Sequence, residues 1–162
     1  MYRTNIRRAT RGPILATAFV LVFAGTALAT VASGFHPTIL ARGTTAAAIQ
    51  TNMGVIKFQT KGAIDIVTAT VTLDPHASSG WHSHPGVVLV TVVSGTITFY
   101  DDQCAATTHV AGSSFVESGG DTGLAHNEGD TAAIIYVTYL VPTGTPNSGL
   151  RIDQANPGCP QS

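Results

Sequence analysis

What most constrains this chain is a succession of short stretches rich in β-branched residues, each closed by turn residues: GVIKFQT, AIDIVTATVTL, VVLVTVVSGTITFY, TTHVAGSSFVE and TAAIIYVTYLVP. None of them repeats its apolar residues at the three-to-four spacing of a helix face. In the second stretch Ala69, Val71 and Leu73 alternate with Thr68, Thr70 and Thr72, the period of a strand with one face in a core. In the third, Ser94-Gly95 interrupts the run and predicts a hairpin turn between two strands. About eight to ten such strands in ~130 residues leave no room for crossover helices, so the chain is expected to be all-β, an antiparallel sandwich or barrel. Its 162 residues, 44% of them hydrophobic, suit one domain with an ample core.

The first 29 residues stand apart. They open with Arg3, Arg7, Arg8 and Arg11, continue into an apolar run from Ile14 to Ala29, and end in Ala27-Leu28-Ala29. Basic start, apolar middle and small-x-small end are the pattern of a secretory signal peptide, and the run is shorter than the ~20 residues that span a bilayer. Residues 1–29 are therefore expected to be removed on export, giving a secreted or extracytoplasmic protein with no stable membrane insertion. Four basic residues then remain, Arg42, Lys57, Lys61 and Arg151, against nine acids, a net charge of −5. Such a surface argues against nucleic acid as a partner.

Both cysteines, Cys104 and Cys159, lie in the exported part. An even pair in an oxidising compartment is most simply an intramolecular disulfide. It would tie the Pro- and Gly-rich tail, residues 143–162, back to the domain. The remaining boundaries are a flexible start over residues 30–50 and a barrel over residues 51–142.

The chemistry concentrates in GWHSHPGVV, residues 80–88. On an extended segment positions two apart share a side, so His82 and His84 direct both imidazoles to one point, half of a tetrahedral metal site. A third histidine, His126 in GLAHNEGD, precedes the strand that begins near Thr131 and offers a third arm.

These residues carry a resemblance. GWHSHPGVVLVTVVSG, with Gly80, His82, His84 and Gly95, resembles the first motif of the cupin superfamily, and GSSFVESGGDTGLAHNEGD, from Gly112 to His126, resembles its second. The resemblance covers residues 54–141 and suggests a small exported bacterial cupin. It implies a double-stranded β-helix, or jelly-roll barrel, around one divalent transition metal (Fe, Mn, Ni, Cu or Zn), and barrels that pair as homodimers through edge strands. The chain departs from the family at Val88 and Leu89, where a glutamate is usual. That leaves either a three-histidine site or a carboxylate supplied by Glu117, which shares the side of Phe115 by period two.

Other residues are weighed in the same way. Tyr136 and Tyr139 sit on opposite faces of the last strand, and one of them, with Tyr136 as the candidate, offers a hydroxyl to a substrate beside Glu117 as acid or base. Trp81 either shields the site or caps the barrel. His36, His76 and His109 belong to no motif. Three functional classes stay open: a small-molecule oxygenase or related metalloenzyme, a non-catalytic module binding a metal or small ligand outside the cell, and a metal-free structural barrel. No nucleophile elbow or phosphate loop is present to suggest another chemistry.

Overall fold

A computed structural model describes residues 28–160. Most of the expected signal peptide, residues 1–27, lies outside the described residues. The strands are β1 (Ser33–Thr44), β2 (Gln50–Met53), β3 (Ile56–Gln59), β4 (Ile64–Ser78), β5 (His82–Ser83) and β6 (Val87–Ser94). They continue as β7 (Thr96–Asp101), β8 (Ala106–Val110), β9 (Ser114–Glu117), β10 (Gly123–His126), β11 (Ala133–Pro142) and β12 (Ile152–Asp153). A single 3-10 turn, Asn147–Gly149, is the one helical element among the described residues.

All pairings are antiparallel, and the order runs β12-β5-β10-β4-β11-β6-β9, with β1 on β4 and with β7 on β10, followed by β8. β4 is long enough to serve both halves. Its first part pairs with β1 and β11, and at its end Ser78 pairs with His126 of β10. The result is a nearly closed antiparallel barrel of the jelly-roll kind.

The alternation in β4 is realised directly. Val67, Ala69, Val71 and Leu73 are fully buried, while the intervening threonines are only half-buried. Across the ladder they face Tyr139, Val137, Ile135 and Ala133 of β11, and the third wall comes from Val88, Val90 and Val92 of β6. Each such side chain taken from water contributes about 1.5–3 kcal/mol, so this apolar interior is the main source of cohesion.

Three expectations are corrected. Residues 30–50 are not a loose start, because β1 lies along β4 from Phe35 opposite Leu73 to Thr44 opposite Asp65. Its residues are mostly exposed, so no buried face marks it in the sequence, and it is held by the backbone groups of β4's open edge. Ser94-Gly95 does not close a hairpin. β6 pairs with β9 and β11 while β7 pairs with β8 and β10, so Gly95, at φ +75°, turns the chain from one wall to the other. Residues 50–59 lie outside the barrel, because β2 and β3 pair only with each other.

The expected disulfide is present, Cys104 to Cys159 across 55 residues. Beyond it the tail is built into the barrel. Leu150 is buried in the core and β12 pairs with β5, Asp153 opposite His82. No helix among the described residues is long and apolar enough to cross a membrane.

Candidate metal centre

The segment that presents the two histidines is shaped by Gly80. At φ +66° it adopts a left-handed turn, and a Cβ there would stand 2.8 Å from the carbonyl oxygen of Thr30, so a side chain is excluded on both counts. The chain then enters β5, and His82 and His84 both point into the barrel, buried, with ring centres 4.8 Å apart and planes nearly perpendicular.

Their tautomers follow from their partners. The Nδ1 of His82 lies 2.9 Å from the carbonyl oxygen of Gly80, and that of His84 lies 2.6 Å from the carbonyl oxygen of Leu150. A carbonyl only accepts, so both Nδ1 atoms carry the proton and donate it. In a neutral ring so held, Nε2 has the lone pair. Burial pushes the His82 imidazole down to about pKa 4, against the opposing pull of Glu117, so this ring is neutral at physiological pH.

Opposite them stands Glu117 at the end of β9. Phe115 packs against the core and Glu117 shares its side, as the period of two requires. Its Oε2 is 3.2 Å from the Nε2 of His84 and 3.9 Å from that of His82, and the ligand atoms of the three residues all lie within 4.8 Å of one another. Two imidazole Nε2 atoms turned toward one carboxylate form a donor set that a cation can occupy. Ligands at ~2.1 Å from one ion are separated by roughly 3.0–3.4 Å, so the spacing of His84 and Glu117 fits a metal, whereas His82 has to swing inward to join them. The donor set, two imidazoles and one carboxylate, is one that divalent transition metals accept.

The structure does not bring His126 into this group. Along β10, Gly123 and Ala125 face inward, and His126 shares the outer side of Leu124, which packs with Trp81 and Cys159. Its Nδ1 is 3.8 Å from Glu128 and has no hydrogen-bond partner. Gly123 is the residue opposite His82, and the ring of Phe99 fills the space where its side chain would stand. The third group that the fold brings beside the two histidines is instead Glu117 on β9.

Tyr136, the hydroxyl proposed for a substrate, is also displaced. It is 51% exposed on the outside of β11, whereas Tyr139 is 7% exposed, its ring centre 5.5 Å from that of His84. Burial first, and Glu117 second, push the Tyr139 phenol up to about pKa 12, so it keeps its proton. Trp81 is a packing residue, buried against Leu124 and Cys159. His36 and His76 pair at the surface with Asp74 and Asp130, and His109 stacks on Phe115 with ring centres 4.1 Å apart.

One functional candidate carries no motif in the sequence. Arg151, in the tail segment GLRID, reaches the inner cavity shared by His82, His84, Glu117 and Tyr139. Its Nη2 donates to the carbonyl oxygen of Ser79 and its Nη1 pairs with Asp153 at 2.6 Å. The signal that marks it is its rarity, since it is one of four basic residues after the apolar leader.

The inner cavity is small, about 20 Å³. Two larger spaces adjoin it. One, about 370 Å³, is bounded by Glu117, Phe99, Asp101, Asp102 and Asp121, and the other, about 830 Å³, by His84, Lys61, Gly86, Gly119 and Leu140.

A family model described as Cupin domain matches residues 69–139, a span that holds His82, His84 and Glu117. Among solved structures, a cupin domain from Bordetella pertussis Tohama I is similar at 16% identity and TM-score 0.47, over 66% of this chain and 93% of that one. A protein with a double-stranded β-helix domain from Klebsiella pneumoniae is similar at 20% identity and TM-score 0.45, over 68% and 81%. An oxalate oxidase is similar at 21% identity and TM-score 0.43, over 48% of this chain and 46% of that one. No curated protein matches the sequence.

Proposed function

We propose, on the Cupin domain model that matches residues 69–139, that this chain is an exported metal-binding cupin whose ion is held by His82, His84 and Glu117. The observation that carries the reading is the pair of Nδ1–H donors, one to Gly80 and one to Leu150, which turns both Nε2 atoms toward the Glu117 carboxylate. Hydrogen bonds of this kind orient ligating imidazoles and raise their basicity.

Two histidines and one carboxylate leave coordination positions open, the arrangement that non-haem oxygenases use, so the ion would supply Lewis-acid or oxygen chemistry to a small molecule. The residues around it have separable tasks. Glu117 joins the inner cavity to the acidic space outside and holds the negative charge that retains a cation. Tyr139 keeps its proton as a hydrogen-bond donor. Leu150, through its carbonyl, holds the ring of His84 in register.

A second reading is a module that binds metal without turnover. The size of the inner cavity, about 20 Å³, favours it, because that is room for little beyond an ion and one water. Export is part of either reading. It is supported by the arginine-rich start, the apolar run that ends in Ala27-Leu28-Ala29, and the Cys104–Cys159 bond, which suits an oxidising compartment.

The test is elemental analysis of residues 30–162, purified without a histidine tag, alongside His82→Ala/His84→Ala and Glu117→Gln. Near-stoichiometric metal that disappears in the first variant and falls in the second is expected. Absence of metal in the wild type after reconstitution with iron, manganese, nickel, copper or zinc overturns the reading. Dioxygen uptake by the loaded protein over a panel of small organic acids, thiols and phenols separates turnover from simple binding.

A further inference from the structure

We propose that Arg151 makes the inner cavity an anion subsite, holding a small anion of about one to three heavy atoms against the metal position through its Nε–H. The inference rests on the metal reading above and adds the class of ligand.

Arg151 is held at both ends of its fork, by Asp153 at Nη1 and by the Ser79 carbonyl at Nη2. Its Nε is buried and has no hydrogen-bond partner; among the described residues only His126 Nδ1 shares that condition. A buried N–H without a protein partner is costly, so it is met by a water or by a bound group. Here the cavity that Arg151 lines is also lined by Glu117, the two histidines and Tyr139.

Charge indicates what the partner is. A divalent ion on Glu117 and two neutral imidazoles retains one positive charge, and the guanidinium adds another. Asp153, which is half exposed, offsets one of the two from the outer side. The interior therefore keeps a surplus positive charge that an anion neutralises, with Arg151 and Tyr139 as its donors. Volume sets the size: about 20 Å³ is room for one water-sized group beside the ion, so the anion that fits is a small one, and azide and formate, reaching toward the adjoining spaces, are its probes. A dicarboxylate or a sugar acid is too large to enter whole.

The experiment uses residues 30–162 loaded with cobalt(II), whose visible absorption reports changes in its ligands. The protein is titrated with azide, with formate and with oxalate, in the wild type, Arg151→Gln, Arg151→Lys and Tyr136→Phe. Saturable azide and formate spectra are expected in the wild type, with no comparable response to oxalate. In Arg151→Gln the azide dissociation constant should rise about tenfold or more at unchanged cobalt stoichiometry, with partial recovery in Arg151→Lys and no change in Tyr136→Phe. Cobalt bound without any azide or formate response in the wild type overturns the inference and leaves the metal reading standing, and this arm is independent of how the variants fold. Equal azide affinity in a folded, cobalt-loaded Arg151→Gln also overturns it. A wild type that takes up no cobalt overturns both readings together.

Discussion

The Nδ1–H of His84 donates to the carbonyl oxygen of Leu150 at 2.6 Å, joining residues 66 positions apart. The tail is thus a structural neighbour of the histidine pair, a role that its Pro- and Gly-rich composition does not announce. β12 adds to the link by pairing with β5, and Gln154 donates its backbone N–H to Trp81 and its side-chain Nε2–H to Ser83.

Opening the disulfide should therefore affect both stability and the site. Closing a loop of 55 residues lowers the entropy of the unfolded chain, worth about 4 kcal/mol in the chain-entropy picture. Cys104→Ser/Cys159→Ser is expected to melt well below the wild type and to lose bound metal faster to a chelator. A variant that melts lower yet gives up metal at the wild-type rate refutes the coupling between tail and histidines.

His126→Ala should leave metal occupancy unchanged, while His84→Ala removes it. His126 lies on the outer side of β10, near Glu128, whereas His84 is within 3.2 Å of Glu117. Metal content of the two purified variants decides between a site completed by Glu117 and one completed by a third histidine.

Gly86 lies at the lip of the site, where a Cβ would approach the carbonyl oxygen of Leu140 to 2.0 Å. That neighbour is backbone and cannot step aside as a side chain tip would. Gly86→Ala should cost about 3 kcal/mol or more in urea unfolding. Gly43, with nothing within 4 Å of its Cβ position, is the control, and Gly43→Ala should be close to neutral.

Asp65 ties β1 to β4. The Thr44 hydroxyl above all, then the Gly144 N–H and the Arg42 guanidinium, stabilise its anion against burial and hold its carboxyl below the ordinary value. A depressed folded pKa stabilises the fold fully above the unfolded value of about 3.9 and loses that contribution as pH falls through the folded value. Asp65→Asn should melt lower than the wild type at pH 7, and the gap should narrow steadily below about pH 4. A gap that stays constant down to pH 2 would show that the ionised form of Asp65 contributes nothing.

Much of this molecule is written in its alternation. β4 reads correctly because one of its faces is buried along its length, and Phe115 and Glu117 keep the same parity. β1 is not legible in this way, since an exposed edge strand is held by backbone groups that every residue possesses. Nor is the partner of His84, because it is a carbonyl oxygen and carries no residue identity.

The two displaced site residues show where local reading ends. His126 and Ala125 differ by one position, as do the inside and the outside of β10, and a one-residue change of parity exchanges every side chain between core and solvent. Tyr136 and Tyr139 are three apart, so one faces in and the other out, and periodicity alone does not say which. Residue order determined the strands that carry one buried face, the paired histidines two positions apart and the carboxylate on the side of Phe115. Only the packing of β10 beside β5, and of β9 across from them, decided which side chains meet, because that depends on register between strands distant in the chain.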